Sequence, residues 1–159
     1  MSTARPGADP CDYSDRVQIQ RGLKMIRGSM TPQELYKRLV ESVRLVAAPS
    51  EVQFASVPNF VVVCDEVSTT FGEAFLLVPQ LQEARILLPP AVAALSELDE
   101  HLARVPEAVR VAEDEGLRAD HPFWEKARQL AAKALTALGE EYRAPNLTDV
   151  RWVPGESAT

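Results

Sequence analysis

Twelve prolines divide this chain of 159 residues into segments too short for any long helix. Proline has no backbone N–H and its ring clashes with the preceding turn, so it opens or closes a helix and rarely sits inside one. Pro32, Pro49, Pro58, Pro79, Pro89, Pro90, Pro106 and Pro122 fall between stretches in which apolar residues recur every three or four positions. That spacing lines one face of a helix. The expected fold is all-α, an irregular bundle of about six or seven short-to-medium helices.

Two places carry the chemistry of a helix start. Thr31-Pro32-Gln33-Glu34 offers a cap hydroxyl, a proline at the first helical position and a glutamate at the third. Ser50-Glu51-Val52-Gln53 repeats the pattern with serine and glutamine. In such a box the cap oxygen accepts from the third residue's N–H, and the long side chain accepts from the cap's own N–H.

Pro32–Ala47 is the clearest helix. Leu35/Tyr36, Leu39/Val40, Val43 and Val46 form its stripe, while Glu34, Lys37, Arg38, Glu41 and Arg44 take the other faces. A short turn with Val52, Phe54 and Val57 closes at Pro58. From Asn59 to Val78, the residues Phe60, Val63, Val67, Phe71, Ala74/Phe75 and Val78 fit a helix with Asp65, Glu66, Thr69 and Glu73 opposite. Phe60–Cys64 also fits a buried strand, and with Leu147–Val153 it would make a small two-stranded element. Further helices are expected over Leu81–Leu88, along Val92, Leu95, Leu98, Leu102 and Val105, and from near Asp120 to Gly139. Residues 1–14 read as a mobile leader, 15–153 as one helical domain in which Asp15–Ile26 forms a short helix, and 154–159 as a frayed tail.

Charge is uneven: the chain through Arg44 carries a net +3, and the remainder a net −9. An acidic body repels phosphates, which argues against broad contact with nucleic acid. Cys11 and Cys64 are too few for a disulfide framework. The N-terminus has no apolar core of a signal peptide, and the longest apolar run is far short of a membrane span. The expectation is a cytoplasmic protein.

No residue pattern points to a reaction centre, a cofactor or a metal. Asp65 and Glu66 are adjacent, so on a helix they diverge by about 100° and do not make an acid–base pair. Glu97, Glu100 and His101 are the weak alternative for a metal. Glu97 and His101 share a helix face, but position 98, where an i,i+3 ligand pair needs a carboxylate, is a leucine. Glu113-Asp114-Glu115-Gly116 lacks the alternating oxygen ligands of a calcium loop.

These observations favour a small acidic protein-binding domain of the inhibitor, immunity, antitoxin or adaptor kind, with another, basic protein as partner. Its candidate surface is Asp65, Glu66, Glu73, Glu113, Asp114 and Glu115, with exposed edges of Trp124 and Trp152 as aromatic anchors. The alternatives are a metal-assisted hydrolase of a phosphorylated small molecule built on Glu97, Glu100 and His101, or a structural subunit of a larger assembly.

Overall fold

The computed structural model describes residues 30–111 and 121–150. The chain divides into Met1–Thr31 and Pro32–Thr159, and the second of these units is described below. The expected Asp15–Ile26 helix lies outside the described residues. Within Pro32–Thr159 the elements are α1 (Pro32–Ala47), α2 (Ser50–Ser56), α3 (Val63–Phe75), α4 (Val78–Glu83), α5 (Pro89–Leu102), α6 (Glu107–Val111) and α7 (Pro122–Leu138). Among the described residues there is no strand, so the all-α expectation holds and the two-stranded element is absent.

Four helices close on one another in a ring. The α1 helix packs on α7, α7 on α5, α5 on α3 and α3 on α1, while α2 and α4 lie against α1. Two bonds fix α1 and α7 as antiparallel. The Tyr36 hydroxyl, near the start of α1, donates to the Leu138 carbonyl at the end of α7. Arg128, in the first half of α7, donates to the Ala48 carbonyl just beyond α1.

The core is the stripe that the spacing marks. Leu39, Val43, Leu45 and Val46 of α1 meet Val67 and Phe71 of α3, Leu95 and Leu98 of α5, and Trp124, Ala127 and Leu135 of α7. Complete burial of one such side chain stabilises by about 1.5–3 kcal/mol. Cys64 is buried beside them.

Helix ends depart from the expectation in instructive ways. Ser50 does not cap α2: Pro49 holds the cap position and no side chain bonds the helix start there. Ser50 is the first helical residue, and Gln53 turns the other way. Its amide donates to the carbonyls of Leu45 (3.0 Å) and Val46 (3.2 Å), filling acceptors that the end of α1 leaves open. The tight Ala48-Pro49 corner brings α2 back across that end, so the glutamine serves the preceding helix.

The helix expected over Asn59–Val78 is shorter, running only over Val63–Phe75. A turn at Pro58–Val61 precedes it and frees Phe60 from its apolar face. The helix expected over Leu81–Leu88 instead spans Val78–Glu83. It ends when Ile86 donates back to Leu81 through a left-handed Arg85, at φ 59°. Pro89 and Pro90 occupy the first turn of α5. At α7 the cap is His121, whose Nδ1 accepts from the Phe123 N–H at 3.2 Å, and Gly139 at φ 72° terminates the helix.

Glu41 and Arg44, expected on solvated faces of α1, are both buried. The segment after α7 runs back over them. Glu41 accepts from Arg44 (2.7 Å), Arg143 (3.1 Å) and the Asn146 N–H (2.6 Å). Arg44 also reaches Glu140 and the Glu141 carbonyl. Leu147 packs on the core from the same segment, which therefore lies as an extended strap.

Candidate protein-binding surface

The α3 helix divides into two faces because its apolar residues keep helical spacing. Val63, Val67, Phe71 and Ala74 are buried. Asp65, Thr69 and Glu73 are exposed, and Glu66 and Thr70 lie half-buried at the boundary. Asp65 and Glu66 sit in the first turn, where the partial positive charge of the helix N-terminus favours carboxylates.

Glu66 and Glu73 are seven residues apart, which returns them to the same face. Burial pushes the Glu66 carboxyl above its ordinary range, and the negative charges of Glu73 and Asp65 push the same way. The Thr70 hydroxyl donates to Glu66 Oε1 at 3.5 Å and opposes that rise. A half-buried Arg38 of α1 lies 3.9 Å from the exposed Glu73, a long pair that offsets part of that one charge. Between Arg44 and Arg85 the chain holds Glu51, Asp65, Glu66, Glu73 and Glu83 and no Lys, Arg or His. The α3 helix thus presents a negative field with no basic residue of its own.

The other candidate residues do not gather with these. Trp124 is 0% exposed, so it has no edge to offer a partner. It packs edge-on to Phe123 in the core, which corrects its place among the anchors. Glu113, Asp114, Glu115 and Trp152 lie outside the described residues. Glu97 accepts from Lys133 of α7 at 2.6 Å, and that hydrogen bond, with the Lys133 charge, holds its carboxyl below the ordinary range. His101 stacks on the Phe123 ring at 4.4 Å, with Nε2 2.9 Å from the Phe123 carbonyl. Glu100 is exposed. Among the described residues no group of three or more His, Cys, Asp or Glu is placed to hold a metal. Nor, among them, is any helix long and apolar enough to cross a membrane.

Sequence reasoning missed Phe60 and Val62, which it assigned to a buried run. Phe60 is 53% exposed and Val62 43%. The signal was present in Pro58-Asn59, a turn pair that interrupts the helical phase before Phe60. An open hollow of about 410 Å³ lies nearby in the chain, between Ala55-Ser56 and the strap residues Pro145–Thr148, with no charged side chain in its lining. Compared with known proteins, the chain matches no family model, no curated protein and no solved structure.

Proposed function

We propose that this chain is a small acidic helical domain that works by binding another protein, with α3 as the face that meets a basic partner. The observation supporting this reading is the grouping of Asp65, Glu66 and Glu73 on one helix, without a basic residue on that helix; burial raises Glu66, and the charges of Glu73 and Asp65 add to that rise. Like charges held together in a stable fold cost some stability, and a cationic partner relieves that repulsion on binding. An inhibitor, immunity protein, antitoxin or adaptor acts in this way, through a rigid body and a complementary surface.

The test is kinetic. The partner is captured from the native source, identified by mass spectrometry and purified. Association is then followed at low and near-physiological salt for wild type and for Asp65→Lys with Glu66→Lys. Wild-type association should slow as salt rises, and the double reversal should lower the low-salt on-rate about tenfold or more. Circular dichroism checks the fold, since lysines in a first helical turn oppose the helix dipole. Identical rates in all four conditions would sink the reading.

A further inference from the structure

Five large apolar side chains are exposed among the described residues, and three of them, Phe54, Phe60 and Val62, fall within nine residues of chain. A lone exposed leucine, such as Leu88, needs no explanation. Three along one corner of the chain, from the middle of α2 to the residue before α3, are a different matter. Val62 is the residue just before α3, and the Glu66 N–H donates to its carbonyl. On helical geometry Val62 therefore lies one turn below Glu66, so the apolar corner runs directly into the acidic stripe.

Exposed lysine or arginine stems often lie across apolar surface. No basic residue occurs between Arg44 and Arg85, so none is supplied from this part of the chain. What remains is an apolar end and an anionic end side by side, on elements held in place by the buried Val57, Val63 and Val67.

Resting on the reading of α3 given above, we propose that the partner's contacting element is a cationic amphipathic helix. Its leucine-like side chains seat on Phe60 and Val62, with Phe54 at the margin, and its lysines or arginines lie along Asp65, Glu66 and Glu73. Aromatic and aliphatic anchors then supply residence time, and the carboxylates supply steering and register.

Two synthetic helical peptides serve as probes, one of lysine and leucine and one in which serine replaces every leucine. Fluorescence anisotropy measures binding to the full chain at low salt and at about 0.15 M. The lysine–leucine peptide should bind about tenfold tighter or more, shifting the amide resonances of Phe60, Val62 and Asp65. Phe60→Ser with Val62→Ser should erase that advantage at both salts while the far-ultraviolet dichroism shows the helices intact, serine being a favoured residue at the cap position that Val62 holds. Asp65→Asn with Glu66→Gln should weaken both peptides, chiefly at low salt. Equal affinity for the two peptides, both lost in the Asn/Gln variant, would overturn the apolar anchor and leave the acidic reading standing. Insensitivity to every substitution would overturn both. If the wild type sediments as a dimer that Phe60→Ser with Val62→Ser dissociates, the corner belongs to a second copy and the proposal fails.

Discussion

Tyr36 shows how a single side chain here answers to its surroundings. Its one hydroxyl proton is shared between Glu140 Oε1 at 3.1 Å and the Leu138 carbonyl at 3.3 Å, tying α1 to the end of α7. Burial, with the Glu140 carboxylate beside it, raises the phenol from 10.0 to about 12. The folded state therefore prefers the neutral phenol. Its contribution is complete below pH 10 and is lost as pH rises toward about 12, because the unfolded chain ionises first. The unfolding free energy of wild type minus that of Tyr36→Phe, followed by denaturant titration, should fall across that window and stay flat between pH 7 and 9. A flat difference throughout would place Tyr36 in water. Glu41 teaches the companion lesson. On a helical wheel it belongs with the solvated residues, yet it is buried because the returning strap covers it with two donors, Arg143 and the Asn146 N–H, beside Arg44 of its own helix.

At the scale of elements, the corner between α1 and α2 carries most of what local rules misread. Ser50 and Gln53 have the residue types of a capping box, but a box needs the serine outside the helix and the glutamine free to bend back. Pro49 takes the outer position, and Gln53 faces inward onto the last carbonyls of α1. Replacing Gln53 with Leu keeps roughly the volume and removes both donors, so the Val46 carbonyl loses its partner while the Leu45 carbonyl keeps only the Ala48 N–H. That should cost about 1–3 kcal/mol in urea unfolding. A change within 0.5 kcal/mol, the usual range for surface positions, would mean that water takes over the bonds. The α3 helix was read with greater success. Its buried face of Val63, Val67, Phe71 and Ala74 follows the spacing, while Phe60, beyond the Pro58 turn, falls off it and Val78 opens α4 instead.

At the scale of the whole Pro32–Thr159 unit, the described residues form one packed core held by a ring of four helices, and its parts should fail together. Leu98 is fully buried at the seam of α5, whereas Leu88 is 68% exposed one residue before that helix. Leu98→Ala should cost about 2–5 kcal/mol, and Leu88→Ala less than about 0.5 kcal/mol, measured by urea unfolding. The loss should register equally in far-ultraviolet dichroism and in the fluorescence of the buried Trp124, as expected when one core unfolds as a unit. Equal costs for the two leucines would mean that the α5 stripe does not face the core.

By itself the sequence determined the all-α class, the two long helices Pro32–Ala47 and Pro122–Leu138, and which stripe of each is apolar. Proline geometry, glycine at position 139 and apolar spacing act within a turn or two of chain, so they can be read without knowing what packs on what. Only the tertiary structure decided which polar residues are covered and which apolar ones are not. Glu41 and Arg44 are buried by a strap about a hundred residues away. Trp124 is claimed by the core rather than by the surface, and Phe60 is released by a turn too short to alter the average pattern. The acidic face of α3 was legible, because helical periodicity sets carboxylates opposite a valine stripe. The apolar corner beside it was not, because exposure belongs to the assembled surface and residue type does not encode it.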